Sequence, residues 1–114
     1  MDVSTGVADA IGRYLDLNTA QMKLTAANMA NIDTPGYKSQ GFDFEQAFTS
    51  SLSDGASPQA GAVTGLVARP DGNNVSLDRE SLQMAKAQLQ FRTGIELLRH
   101  EYTRVLDAIH AEAK

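Results

Sequence analysis

A seven-residue repeat in the C-terminal third of the chain is the feature that most limits how it can fold. The first row of the repeat consists of Leu77, Met84, Phe91, Leu98 and Val105. A second row lies four residues after the first and consists of Ser81, Gln88, Ile95, Tyr102 and Ile109. Five heptads in register predict one long helix that packs along a continuous seam against other helices.

The predicted C-terminal helix runs from Leu77 to about Ala113, roughly 55 Å at ~1.5 Å per residue. Ser76 suits the N-cap position, and Asp78 and Glu80 place negative charge in the first turn, where the helix dipole favours it. Gly94 is the weak point of this helix and is predicted to be a site of close helix–helix approach.

The N-terminal region, from about Val3 to Ile32, carries a weaker heptad pattern. One row is Ala8, Leu15, Met22 and Met29, and the other is Ile11, Asn18, Thr25 and Ile32. This pattern predicts a second long helix whose seam is interrupted by the polar side chains of Asn18 and Thr25. Across both helices, the predicted assembly seam comprises Leu15, Met22, Met29, Leu77, Met84, Phe91, Ile95, Leu98, Tyr102, Val105 and Ile109.

Residues 33–75 separate the two predicted helices. The stretch from Thr49 to Asn74 holds four Gly, four Ser and two Pro and no aromatic residue, which is typical of a flexible connector. A weak strand is predicted at Gly65–Arg69, followed by a turn at Arg69–Gly72.

A fixed turn is predicted where the first helix ends. Thr34 precedes Pro35, which disfavours the helical conformation at Thr34, so the helix should stop at about Asn31 to Asp33. Pro35 and Gly36 suit the two central positions of a type II turn. Asn28 and Asn31 form helices poorly, and their side chains bond readily to nearby backbone groups.

A short helix is predicted after the turn, with Asp43 as its cap and Gln46 three residues later. It would place Phe44, Phe48 and Leu52 on one face. Two interpretations remain open, because this face could pack on the long helices or could dock on a partner protein as spaced apolar anchors.

These elements predict one mainly α-helical domain over residues 1–114. Its N-terminal helix (1–32) and C-terminal helix (76–114) form a coiled-coil hairpin, and residues 33–75 contain the turn, the short helix and an irregular Gly/Ser/Pro-rich connector. Two helices with a loose middle bury little apolar surface, so we expect the subunit to become fully ordered inside an assembly.

Composition and motifs argue against several function classes. The net charge of −4 does not favour a nucleic-acid binder, and the absence of cysteine excludes disulfides and thiolate metal sites. The stretch starting at His100 and Glu101 has Arg104 where a zinc-binding helix carries its second His, and His110 is ten residues from His100. We therefore predict no catalytic, metal or cofactor site, no membrane helix and no cleavable signal peptide.

The segment "AANMANIDTPGYK" (Ala26–Lys38) resembles the N-terminal signature of bacterial flagellar rod, hook and hook-associated proteins, A-N-x-A-N-x-x-T-x-G-Y-K. The segment Asp71–Leu98 is similar to the rod members nearest the cell. The matching signature and turn residues are Asn28, Asn31, Thr34, Pro35, Gly36 and Tyr37. The chain differs from longer members by its short middle, which lacks an inserted domain.

The resemblance implies a non-enzymatic structural subunit of the flagellar drive shaft in the periplasm. Its partners would be further copies of the chain, the rod proteins FlgC and FlgF, the adaptor FliE, the export gate and the membrane ring. It also implies synthesis in the cytoplasm and export through the flagellar type III apparatus without cleavage. Phe44 and Phe48 match the Phe-x-x-x-hydrophobic pattern that the gate recognises in early substrates.

An alternative is a small secreted helical hairpin that binds partners as a dimer. The Trp-x-Gly turn typical of that class requires a tryptophan, and this chain has none. A compact dimer in size-exclusion chromatography would favour this alternative, whereas a loosely folded monomer that polymerises would favour the rod subunit.

Overall fold

The computed structural model describes residues 3–113, with side chains from Gly6 onward, so residues 1, 2 and 114 of the predicted domain lie outside it. Within this range the elements are α1 (Val3–Ala30), β1 (Gln40–Gly41), α2 (Phe44–Asp54), β2 (Gly61–Ala62) and α3 (Leu77–Glu112). The predicted mainly helical class is confirmed, with two long helices and a short one between them.

Helices α1 and α3 lie side by side and run in opposite directions. Leu15, near the middle of α1, packs over Gly94 of α3, while the end of α1 and the start of α3 meet at the turn. The molecule measures 70 × 26 × 17 Å. In the described range, none of the helices combines the length and apolar character needed to cross a bilayer.

Helix α3 begins where its cap residues predict. The Ser76 side chain accepts a hydrogen bond from the Arg79 amide at 3.3 Å, and Asp78 and Glu80 occupy the first turn. The 36 residues of α3 correspond to a length of about 54 Å. The predicted start and length of this helix are therefore confirmed.

The contact between the long helices follows one row of small or charged residues on α3: Glu80, Ala87, Gly94 and Glu101 are its buried members. This row lies one residue before the predicted second row, in which Ile95 is half-buried and Tyr102 and Ile109 are 62% and 54% exposed. The small side chains at Ala87 and Gly94 explain the shift, because they let the two helix backbones approach closely.

The first predicted row flanks this buried row. Half-buried members are Leu15, Met22 and Met29 on α1 and Met84, Phe91, Leu98 and Val105 on α3. Leu77, at the start of α3, is 52% exposed. The role of these residues in contacts between subunits stays a prediction.

The strand predicted at Gly65–Arg69 was wrong. The strand in this region is β2, which pairs antiparallel with β1 so that Gln40 lies opposite Ala62 and Gly41 opposite Gly61. The Arg69 amide instead donates to the Asn73 carbonyl at 2.8 Å, which ties the end of the predicted strand into the turn before α3.

Candidate functional site

The closed end of the hairpin is held by two segments that bond to each other, residues 28–40 and residues 69–75, which we call the joint. The first segment carries the asparagines and the turn singled out in the sequence. The second segment immediately precedes α3. Side-chain amides and backbone groups link the two segments, although the bonded residues are 35 to 42 positions apart in the chain.

Asn28 anchors the end of α1 to the chain beyond the turn. Its amide nitrogen donates to the Gln40 carbonyl at 2.9 Å, and its oxygen accepts from the Tyr37 hydroxyl and from the Gln40 amide, both at 3.0 Å. The side chain is 1% exposed. Because these bonds use both ends of the amide, Asn28 fixes the direction in which the chain leaves α1.

Asn31 and the Pro35–Gly36 turn form the outer part of the joint. The Asn31 oxygen accepts from the Thr34 hydroxyl at 3.0 Å, and its nitrogen donates to the Ala27 carbonyl at 2.8 Å. The Tyr37 amide bonds to the Thr34 carbonyl, and Gly36 has a φ of 76°. These features confirm the predicted type II turn, in which the second central residue needs a positive φ.

Asn73 is the central residue of the joint, and the sequence reasoning did not select it. Its nitrogen donates to the carbonyls of Asn31 and Thr34 at 2.9 and 2.8 Å, and its oxygen accepts from the Val75 amide at 2.8 Å. The side chain is fully buried. Two adjacent asparagines between a Pro-Asp-Gly turn and a helix cap were the available signal, because such side chains bond to neighbouring backbone.

Four further side-chain bonds close the joint. The Asn74 oxygen accepts from the Ser39 amide at 2.7 Å. Arg69 donates to the carbonyls of Val75 and Ile32, and Lys38 donates to the Gly72 carbonyl. Ile32 lies just beyond the end of α1, so the Arg69 guanidinium satisfies a carbonyl that the helix itself leaves free.

An aromatic cluster lies farther along α1, where α2 packs. The Tyr14 ring meets the rings of Phe44 and Phe48 edge to face, with centroid distances of 5.4 and 5.7 Å. Phe42 stacks on Phe44 at 6.4 Å. Asp43 caps α2 as predicted, because its carboxylate accepts from the Gln46 amide at 3.0 Å. Leu52, predicted on the same face, is 51% exposed.

In the isolated chain, the cluster supports the packing interpretation of α2. The phenylalanines pack on the hairpin, as the packing interpretation expects. Both are only half-buried, so part of each ring remains accessible. The docking interpretation of Phe44 and Phe48 stays a prediction.

The core between α1 and α3 is unusually polar. Asn18, Thr25 and Glu80 are fully buried there, and one oxygen of each of Asn18 and Glu80 lacks a hydrogen-bond partner among the described residues. The Asn18 nitrogen donates to the Tyr14 carbonyl at 2.9 Å, and the other Glu80 oxygen accepts from Arg79 at 2.6 Å. Buried polar atoms without partners weaken a fold, so the hairpin is less stable than an apolar one of its size.

A shallow groove runs along one side of the hairpin between α1 and α3. It has a volume of about 480 Å³, and Met22, Phe91 and Ile95 contribute its apolar surface. Arg92, Glu96 and Arg99 line the same groove, and Arg99 donates to Glu96 at 3.0 Å. This apolar strip with a charged edge contains three residues of the predicted assembly seam.

The histidines lie on the solvent-facing side of α3. Both His100 and His110 are exposed, and Glu101 is bound by Arg104 at 2.8 Å. Over the described residues, the acidic and histidine side chains form no group that could hold a metal ion.

The chain is similar to known proteins over a region that includes most of the first segment of the joint. The family model for "Flagella basal body rod protein" matches residues 15–38, which span the second half of α1 and the turn. The chain is 29% identical to "Flagellar basal body rod protein FlgB" of Salmonella typhimurium (strain LT2), over 74% of this chain and 78% of that one. It is 26% identical to the FlgB protein of Escherichia coli (strain K12), over 85% and 88% of the two chains. It is 25% identical to that of Aeromonas hydrophila, over 98% and 99%.

Proposed function

We propose that the chain is a subunit of the proximal rod that assembles with further copies of itself, because it is similar to flagellar basal body rod proteins. These relatives are named as rod proteins of the flagellar basal body, which supports the same location and a structural role for this chain. The finer proposal is that the long helices join neighbouring subunits into the shaft that transmits torque.

The observation that carries the proposal is the apolar stripe beside the hairpin contact. Met22, Phe91 and Ile95 line the groove, and the stripe continues along α3 through Leu98 to Tyr102 and Ile109. The last two side chains are more than half exposed in the single chain. An apolar stripe that keeps heptad spacing while remaining partly uncovered suits knobs-into-holes packing by a helix of another subunit.

The joint supports this role by fixing the hairpin. Asn28 fixes how the chain leaves α1, and Asn73 donates two hydrogen bonds from just before α3 to the turn after α1, so the relative position of α1 and α3 is defined within one subunit. A subunit that carries load must present the same surface to every neighbour. A joint built from directional bonds meets this requirement better than a flexible loop.

We further propose where the subunit acts and how it arrives. It would occupy the periplasmic rod next to the membrane ring, with FlgC, FlgF and the adaptor FliE as neighbours. It would be made in the cytoplasm and exported through the flagellar type III apparatus without cleavage. Phe44 and Phe48 would be the residues that the export gate recognises, through apolar anchors four positions apart on one helix face.

A charge placed on the stripe tests the assembly role. We expect Leu98→Asp to abolish swimming in soft agar, because a carboxylate would be buried between subunits without a partner. Leu98 is half-buried within the chain, so Tyr102→Asp is the second variant, since Tyr102 is exposed and we expect its replacement to leave the fold intact. Circular dichroism of the purified variant would verify its helix content.

Leu82→Asp is the matched control for these variants. Leu82 is 69% exposed and lies about 160° around α3 from Leu98, so the same charge falls outside the stripe. Normal swimming is expected for the control. Normal swimming with both Leu98→Asp and Tyr102→Asp would show that the stripe does not mediate assembly.

A further inference from the structure

The two phenylalanines assigned to export lie against a third aromatic residue of the same chain. Tyr14 on α1 contacts Phe44 and Phe48 at centroid distances of 5.4 and 5.7 Å, both edge to face. The two phenylalanine rings themselves are 6.5 Å apart. The half-buried state of Phe44 and Phe48 therefore reflects contact with α1.

Helix α2 depends on this contact for its position. Among the described elements, α2 packs against α1 and against no other helix or strand. Its own start and end are capped locally, by Asp43 and by Gly55, so it can stay helical when it leaves α1. Gly55 begins the irregular stretch that leads to β2, so no helix or strand follows α2 directly.

We propose that Tyr14 and the export gate compete for the rings of Phe44 and Phe48, so that the closed hairpin masks the export element. This inference rests on the proposed recognition of Phe44 and Phe48 by the gate. A phenylalanine ring that packs against Tyr14 cannot at the same time lie in an apolar pocket of another protein. Binding to the gate therefore requires release of α2 from α1.

The effect of this competition on the affinity for the gate can be measured. When the binding-competent conformation is only partly populated, the apparent affinity falls by the populated fraction. Two edge-to-face aromatic contacts are lost when Tyr14 becomes alanine, which corresponds to a rise of about tenfold in that fraction. Tyr14→Ala should therefore bind the gate about tenfold more tightly than the unmodified chain.

The experiment measures binding of the full-length chain and its variants to purified, immobilised export-gate protein by biolayer interferometry. Tyr14→Ala is expected to bind more tightly, whereas Phe44→Ala with Phe48→Ala is expected to lose binding. Tyr14→Phe keeps the ring and should bind like the unmodified chain. Amide hydrogen exchange, measured in parallel, should show faster exchange over α2 in Tyr14→Ala than in Tyr14→Phe or the unmodified chain.

Leu15→Ala separates unmasking from general loosening of the hairpin. Both Tyr14 and Leu15 pack over Gly94, but the ring contacts to α2 involve Tyr14. If Leu15→Ala tightened binding as much as Tyr14→Ala, the specific competition would be overturned.

The remaining outcomes distinguish the proposed export role of Phe44 and Phe48 from the proposed masking by Tyr14. Unchanged binding of the Phe44→Ala, Phe48→Ala variant would overturn the export role itself. Loss of binding in that variant, together with unchanged or weaker binding of Tyr14→Ala, would leave the export role standing and overturn the masking. Unchanged exchange over α2 in Tyr14→Ala would also overturn it, because Tyr14 would then not hold α2.

Discussion

Replacing Asn73 with alanine is the most direct test of the joint. The side chain is fully buried and makes three hydrogen bonds of 2.8–2.9 Å, two given by its nitrogen and one accepted by its oxygen. A net contribution of about 1 kcal/mol per bond predicts a loss of about 3 kcal/mol in the free energy of unfolding. For a chain of this size such a loss is a large fraction of the total stability.

The assay is urea denaturation of the purified chain followed by circular dichroism, with the free energy extrapolated linearly to water. Asn31→Ala is the matched control, because its two side-chain bonds, to Ala27 and Thr34, are exposed to solvent. We expect the control to lose about 1 kcal/mol or less, since water can replace both bonds.

Asn73→Asp identifies which end of the amide matters. Aspartate still accepts from the Val75 amide, but it turns an oxygen toward the carbonyls of Asn31 and Thr34 in place of a donor. The loss should therefore be at least as large as that of Asn73→Ala. If Asn73→Ala cost no more than Asn31→Ala, the proposed central role of Asn73 would be refuted.

Two further substitutions test the contact between the long helices, both by thermal unfolding of the purified chain. Gly94→Leu should lower the free energy of unfolding by about 2 kcal/mol, because even a Cβ at this position would lie 2.6 Å from Leu15 Cδ2; an unchanged midpoint would contradict the close approach. Asn18→Leu should raise the free energy of unfolding by about 1 kcal/mol, because it removes a buried oxygen without a partner; a lower midpoint would mean that this oxygen is satisfied.

The elements that were predictable from sequence are those set by local chemistry. Ser76 and Asp43 cap their helices as expected, and Pro35 with Gly36 forms the expected turn. In each case the decisive interaction spans three or four residues, so the sequence nearby contains the whole cause. Gly94 was also identified, because a glycine inside a long helix is costly unless another helix packs against it.

The elements that sequence reasoning missed depend on contacts between distant parts of the chain. Asn73 bonds to carbonyls about forty residues away, and its importance appears only once the turn and the start of α3 are brought together. Glu80 was interpreted as a first-turn charge, yet it is fully buried. Helical periodicity is recognised from rows of apolar residues. It therefore does not identify a buried row that consists of Glu80, Ala87, Gly94 and Glu101.

The elongated shape of the molecule determines how it behaves in solution. Its radius of gyration is 18.4 Å, whereas a compact domain of this length has a value of about 13 Å. A single chain therefore diffuses slowly for its mass and leaves a gel-filtration column early, where a compact protein of greater mass would elute. Light scattering, which reports mass independently of shape, is the appropriate way to distinguish one subunit from two and to detect the first steps of polymerisation.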